Sequence, residues 1–423
     1  MNIKEKLQGL IKNGFLYILS GNILNRAIAM ISAILVAALV NKQEYAYLGY
    51  ADNLYGYLSY TMGLGLSSAL LKYCSVAESK SVERAYFRFS VSVGSVFEII
   101  VSLGLCVAVS FINIPFPNSR KYCWMLILYP VIHNFYTNIL CYFRTQLNNK
   151  KYALAGIINS GSSCILTIIL LKLFGTNGIV ASRYTAITIA VLYCLPTLIR
   201  YFKNTERVTV SAENKRAFLS MGIALMLANL FSSIMPLNEA FLVNNIIKDE
   251  IATSNFKVAG QFPQLLLLVS GAITVYFFPI IAKLKDGREI KKKVIQIEML
   301  NIVLIVFLTL CGIIFTPFVF HILYGTKYDD AVSIARLLWI MRAVNCSFRM
   351  VPINMLPAIG KTKFNVVVAV LSCAVQVALD YYFLTNMGIT GVAYGAIVVF
   401  GLSAVAYWIY FIRSCNEMSG EKE

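Results

Sequence analysis

Apolar stretches of about 20 residues recur along the whole chain, and short polar turns separate them. A run of that length crosses a bilayer as a helix. The pattern predicts twelve spans. Six lie at 14–40, 46–73, 86–112, 122–141, 152–173 and 178–198; six more lie at 218–243, 251–281, 295–320, 331–359, 364–384 and 390–412. Several run longer than a straight crossing needs, so tilted or interfacial ends are expected. The expected fold class is all-α, a polytopic membrane protein without an inserted soluble domain.

The polar turns alternate in charge. One set holds Lys4, Lys6, Lys12, Lys72, Lys80, Arg84, Arg144, Lys150 and Lys151. It continues with Arg200, Lys203, Arg207, Lys215, Arg216, Lys283, Lys285, Arg288, Lys291, Lys292, Lys293, Lys361, Lys363, Arg413 and Lys422. The opposite set holds only Lys42, Arg120, Lys121, Lys172, Lys248 and Lys327. By the positive-inside rule both termini are cytoplasmic. That bias also accounts for the net charge of +17, which needs no nucleic-acid partner. With 58% hydrophobic and 13% charged residues, the composition excludes a soluble domain. The first apolar run is too long for a signal-peptide core, so it is expected to stay as a span.

The longest polar segment, 199–216, divides the spans six and six, giving domains 1–205 and 206–423. An internal repeat supports the division. Asn148-Asn149-Lys150-Lys151-Tyr152 is echoed by Gly360-Lys361-Thr362-Lys363-Phe364 at an offset of about 212. The pair Gly175 and Gly178 is echoed by Gly388 and Gly391 at an offset of 213. An even number of spans per half makes these parallel repeats, an arrangement that places substrate at the pseudo-two-fold interface.

Charged residues within the spans are costly there and mark function. The segment Ala331–Ile359 carries Arg336, Arg342 and Arg349. Arg342, Asn345 and Arg349 recur at i, i+3 and i+7, so a regular helix puts them on one face. Arg336 is placed to snorkel, whereas Arg342 lies near mid-depth, and Pro352 and Pro357 loosen the cytoplasmic end. An inward stripe of positive charge suits an anion. In the first half Arg26, Glu98 and His133 fall at similar depth. Arg26 with Glu98 is either a neutralised pair joining helices or part of a site titrated during transport. Glu239 and Lys257 match in depth and form a candidate structural pair. Span seven also carries Asn229, Ser232 and Ser233. Span six has Arg183 toward the outer side. Asp380, on one face with Gln376, lies close enough to the outer surface to be solvated. Gly63-Leu64-Gly65-Leu66-Ser67-Ser68 reads as a close-packing surface.

No catalytic constellation stands out. The ten cysteines are scattered without a CxxC pair, so neither a metal site nor a disulfide framework is expected. The two histidines, His133 and His321, are far apart, and no Walker loop is present.

Several motifs carry a resemblance. They are Glu44-Tyr45 leading to Met62-Gly63-Leu64-Gly65, Arg144 before Lys150-Lys151-Tyr152, and Pro279 before Ala282-Lys283-Leu284. Leu323-Tyr324-Gly325-Thr326-Lys327-Tyr328 and Gly360-Lys361-Thr362-Lys363 complete the set. With these the chain resembles the polysaccharide transporter branch of the multidrug/oligosaccharidyl-lipid/polysaccharide exporter superfamily, the Wzx-type flippases of O-antigen and capsule repeat units. The resemblance implies two six-helix bundles of the drug-exporter (MATE-like) type around a central cavity, with alternating access. It implies a lipid-linked oligosaccharide on undecaprenyl diphosphate as substrate, moved to the outer leaflet of a bacterial inner membrane. A polysaccharide polymerase and a chain-length regulator are the implied partners. Arg26, Arg342, Asn345 and Arg349 are then candidates for a cationic substrate-binding cavity, and Glu98 and His133 for ion coupling, with H+ or Na+ and no other cofactor. Competing readings are a cation or drug antiporter of the same fold and a membrane polymerase or ligase, for which an external catalytic loop is missing.

Overall fold

A computed structural model describes residues 15–420, and every regular element among them is helical. Lys4, Lys6, Lys12 and Lys422 lie outside the described residues. The helices fall where the apolar stretches do. In the first half, α1 (Phe15–Leu39) is followed by α2 (Lys42–Thr61) and α3 (Leu66–Tyr73), two halves of the second stretch. Then come α4 (Lys80–Phe111), α5 (Ser119–Met125) with α6 (Tyr129–Thr145) for the fourth stretch, α7 (Asn149–Phe174) and α8 (Asn177–Phe202). In the second half, α9 (Ala212–Ser233) and α10 (Met235–Ile247) share the seventh stretch, and α11 (Glu250–Ala259) and α12 (Leu265–Ile281) the eighth. Next are α13 (Gly287–Tyr324), α14 (Ala331–Val344), a π-turn (Asn345–Arg349), α15 (Met350–Met355), α16 (Thr362–Met387) and α17 (Gly391–Met418).

Seven segments among the described residues are long and apolar enough to cross a membrane, and the last, Thr362–Met418, contains two of the expected spans. The expected spans at 46–73, 122–141, 218–243 and 251–281 are each interrupted. Proline explains two of the breaks directly: Pro130 and Pro236 stand in the first turn of α6 and α10, where the missing N–H costs nothing. Outward-facing Phe111, Val303, Ile314 and Leu402 are each more than 60% exposed, as a lipid-facing surface requires. The chain is a multi-pass membrane protein.

The chain divides into two compact units, Met1–Leu230 and Phe231–Glu423. The boundary falls inside the seventh stretch, not at 205–206 as the polar linker suggested. The reason is the packing of α9. Phe218 is fully buried against Tyr73, Tyr86 and Phe89, with ring centroids 5.1, 5.1 and 6.0 Å away. Arg84 fastens the linker itself, donating from Nη1 to the Thr205 carbonyl at 2.9 Å and to Thr205 Oγ1 at 3.0 Å. A core of the first unit runs through Leu66, Leu70, Tyr142, Phe143, Ile187 and Phe218, and one of the second through Ile290, Val294, Met355, Tyr407 and Phe411.

The repeat is visible as matched backbone. The turn before α7 places Leu147 at φ 55° and the turn before α16 places Gly360 at φ 80°. The α7–α8 turn puts Gly175 at φ 58°; the α16–α17 turn puts Gly388 at φ 67°. Three residues later, a Cβ on Gly178 would run into the Leu170 carbonyl, and one on Gly391 into the Phe383 carbonyl. Gly178→Ala and Gly391→Ala are each expected to cost about 1–3 kcal/mol, because backbone must move to admit the methyl group. Gly104→Ala, with nothing within 4 Å of its added Cβ, is the control and is expected to be neutral. Thermal unfolding of the three purified variants checks this; equal midpoints would refute the matched-hairpin account.

Candidate functional site

In the first unit the polar residues converge on the break between α2 and α3. Gly63, Leu64 and Gly65 succeed one another at φ 54°, 54° and 68°, three left-handed residues in the middle of an apolar stretch. Leu64 is strained there, since a side chain disfavours that region. A broken helix exposes peptide groups that lipid cannot satisfy. Glu98 on α4, 1% exposed, answers one of them: its Oε1 accepts from the Gly63 N–H at 2.7 Å.

Asn134 on α6 closes the other side. A Cβ on Gly63 or on Gly94 would collide with the Asn134 amide, so both glycines make room for it. Asn134 donates to Ser95 Oγ at 3.3 Å and accepts from Asn138 Nδ2 at 3.0 Å, and Ser90 Oγ donates to Asn138 Oδ1 at 2.5 Å. His133 Nδ1 lies 3.2 Å from Met62 Sδ at the lip of the break. Glu98 and His133 are thus brought to one place, as expected from depth. Arg26 is not part of it: its side chain is exposed on α1, and the Glu98 carboxylate is engaged by backbone instead. The Gly63–Gly65 run is a helix break rather than a packing surface alone. Sequence reasoning missed the partner of Arg183, which forks onto Asp52 with contacts of 2.5 and 3.0 Å.

In the second unit Arg342, Asn345 and Arg349 are buried, at 7, 5 and 9% exposed. They do not form one stripe. The π-turn Asn345–Arg349 adds a residue to the helical turn and rotates the rest of the helix by about 100°. Polar side chains take up the displaced carbonyls. Asn301 Nδ2 donates to the Cys346 carbonyl at 2.7 Å, and Trp408 Nε1 to the Phe348 carbonyl at 2.9 Å. As a result the two arginines have different surroundings. Arg342 Nη2 meets Glu239 Oε2 at 3.3 Å. Arg349 Nη1 donates to Asn345 Oδ1 at 3.3 Å, and its guanidinium lies over the rings of Phe400 and Tyr407 at 5.6 and 5.8 Å.

The expected Glu239–Lys257 pair is replaced. Glu239 Oε2 takes Arg342, and Oε1 accepts from Gln376 Nε2 at 3.0 Å. Depth had matched Glu239 to Lys257, but the rotation of α10 turns its carboxylate toward α14 and α16. Asp380 is another correction: it is fully buried rather than solvated. The side chains of Asn229, Ser232 and Ser233 lie outside the described residues.

Glu98→Ala is expected to destabilise by about 1–3 kcal/mol, because it orphans the Gly63 N–H in a dry interior. Glu98→Gln keeps an acceptor oxygen and is expected to hold most of that stability. Thermal unfolding of both variants in detergent decides it; an alanine variant as stable as the parent would remove the capping role.

Residues 11–285 match the model of a family described as polysaccharide biosynthesis proteins. A putative O-antigen transporter of Shigella flexneri is 22% identical over 278 residues, which are 63% of this chain. That match spans 65% of the relative's own length. Among solved structures, an inward-facing multidrug resistance transporter of the MATE family and MOP superfamily superposes with a TM-score of 0.76. It is 16% identical, with 94% of this chain and 96% of that one covered. A MOP-superfamily transporter from Pyrococcus furiosus, whose binding pocket is described as reversed in polarity, superposes with a TM-score of 0.62 at 15% identity, with 96% of each chain covered. The helix order, the interrupted spans and these superpositions give the chain the MOP-transporter fold. With the model matched over more than half its length, it belongs to the polysaccharide biosynthesis protein family.

Proposed function

We propose that this chain is a flippase for a lipid-linked oligosaccharide. It carries undecaprenyl-diphosphate-linked repeat units of O-antigen, capsule or exopolysaccharide from the cytoplasmic to the outer leaflet of a bacterial inner membrane by alternating access. Both termini and the 199–216 linker are cytoplasmic in this reading, and a polymerase and a chain-length regulator act downstream. The observation that carries it is the pair of buried arginines in the tenth stretch. Between them, among the described residues, they have one acidic partner, Glu239. Keeping such charges inside a membrane costs several kcal/mol unless they serve a ligand or a partner. A guanidinium presents a flat fork of donors that matches a phosphate oxygen pair, which a lysine ammonium does not. Arg349, held by an amide and two aromatic faces, has donor capacity to spare, since its buried Nε has no hydrogen-bond partner. The Asn345 amide, bonded to Arg349, completes the polar set assigned to the anionic headgroup in the second unit.

Arg342→Ala and Arg349→Ala are each expected to lower surface glycan at least tenfold in a deletion strain complemented with the variant, at equal membrane abundance. Lysine at either site is expected to restore part of the loss. Full display by both alanine variants would overturn the assignment. Orientation is tested separately with a thiol probe at Lys203→Cys, in a background whose native cysteines are replaced. Labelling is expected only after the cells are opened, and labelling of intact cells would reverse the topology.

A further inference from the structure

The second unit carries an apolar groove that the headgroup reading does not use. It holds about 390 Å³ and opens on the lipid-facing side of α17, where Val405 and Ile409 are both exposed. Phe348 of the π-turn forms one wall. The rest is a stripe of α17 from Gly401 to Ile412, at positions i, i+3, i+4, i+7, i+8 and i+11 of one helix face. Gly401 and Ala404 keep the floor low, and an added Cβ at Gly401 would meet nothing within 4 Å. Trp408 closes the groove against Phe348: its Nε1 donates to the Phe348 carbonyl at 2.9 Å.

The length of the groove and its ends narrow what can lie in it. Its eleven residues of helix rise about 16 Å, half of the roughly 30 Å hydrocarbon thickness, so it is one leaflet deep. One end is basic. Asn416, one turn beyond Ile412 on α17, accepts from Lys291 Nζ at 3.4 Å. The two helix ends are pressed together there, since a Cβ on Gly287 would run into the Cys415 carbonyl. Lys291 is one of five basic residues in the nine positions 285–293. The acids at this end are engaged elsewhere. Asp286 caps α13, Glu289 pairs with Lys293 at 3.0 Å, and Glu417 pairs with Lys361 at 3.1 Å. Glu298, the next carboxylate along α13, is buried about 10 Å farther in. Lys291 therefore has an amide as its partner and no carboxylate among the described residues.

We infer that this groove binds one anionic glycerophospholipid, with an acyl chain along Gly401–Ile412 and the phosphate at Lys291 and Asn416. An apolar channel one leaflet long that ends in a cation has the outline of a phospholipid, and basic clusters beside a span select anionic headgroups. Trp408 stands near the basic end, where an indole suits the membrane–water boundary. An undecaprenyl chain is far longer than the groove. The leaflet is the cytoplasmic one in the orientation proposed above, but the site itself does not rest on that reading. The bound chain packs on Phe348, the residue before Arg349, and so steadies the turn that holds that arginine. The link to transport rests on the flippase reading; the lipid site does not.

The test uses full-length protein in detergent with Trp124→Phe, which leaves Trp408 and the buried Trp339 as its tryptophans. Fluorescence is titrated with phosphatidylglycerol or phosphatidylcholine brominated on the acyl chains, since bromine quenches an indole it touches. Phosphatidylglycerol is expected to quench saturably, at a half-quenching concentration about tenfold below that of phosphatidylcholine. Lys291→Gln is expected to erase most of that difference. Gly401→Leu, which fills the groove from an open floor, is expected to weaken both lipids. Equal titrations by the two lipids would overturn the anionic site, and this arm needs no groove variant to fold. An unchanged preference in Lys291→Gln would overturn it equally. Unlabelled undecaprenyl phosphate that displaces the brominated lipid better than unlabelled phosphatidylglycerol does would give the groove to a polyprenyl chain instead. Gly401→Leu is also expected to lower surface glycan several-fold, and full display would overturn the link to transport alone. Loss of the flippase reading would show as full display by the arginine variants with the lipid preference intact.

Discussion

Everything in this fold answers one constraint: inside a membrane no peptide group and no charge can turn to water. A continuous helix meets the constraint for its own backbone. Four of the twelve expected stretches are not continuous, and at the second the cost falls on a neighbouring side chain. Glu98 takes the Gly63 N–H, and Asn134 occupies the volume that glycine leaves free. The π-turn of the tenth stretch is met the same way, by Asn301 on α13 and Trp408 on α17. Polar residues in these spans therefore divide into those that serve the backbone and those that do not. Glu98, Asn301 and Trp408 are of the first kind. Arg342, Arg349 and Asp380 are of the second.

The fold was legible because its signal is one of length. Apolar runs mark the helices to within a few residues, and the basic turns and paired glycines mark the repeat. The interruptions were legible only where proline announces them, as at Pro130 and Pro236. Gly63-Leu64-Gly65 gives the same sequence signal whether it packs a helix or breaks one. What distinguishes the two is Glu98, 35 residues away, and no spacing rule ties a carboxylate to a particular backbone N–H. The boundary between the units was misplaced for a similar reason. Charge density draws the eye to 199–216, whereas the burial of Phe218 carries the first unit on into α9.

Partners inside the membrane were less legible than membership. Hydropathy gives each residue a depth but leaves the rotation of its helix free. Depth alone matched Arg26 to Glu98 and Glu239 to Lys257, and neither pairing is the one Glu98 or Glu239 makes. A face can be extrapolated along one helix, and that too failed for Arg342 and Arg349, because a regular period was carried across a turn that has one residue more. Asp380 was assigned to solvent from its nearness to a span end. Its burial is set by α17 crossing beside it at Gly395, a contact between helices that a single-span reading does not contain.

The Glu239–Arg342 pair is best understood by what it is not. A buried ion pair is a poor source of stability, since desolvating both groups offsets most of their attraction, and well-packed apolar residues of similar size do as well or better. If the pair existed only to join α10 to α14, leucine and methionine would serve. It also leaves its surroundings unbalanced, with Asp380 and the Gln376 carbonyl facing no donor. A purely structural pair would be expected to come with its remaining hydrogen bonds satisfied. An arginine whose one carboxylate partner is shared with a deficient neighbour can be drawn either way at small cost. In the proposed carrier that is the property the assigned binding residue needs: it would hold its anion, and it would also have somewhere else to go when the anion leaves.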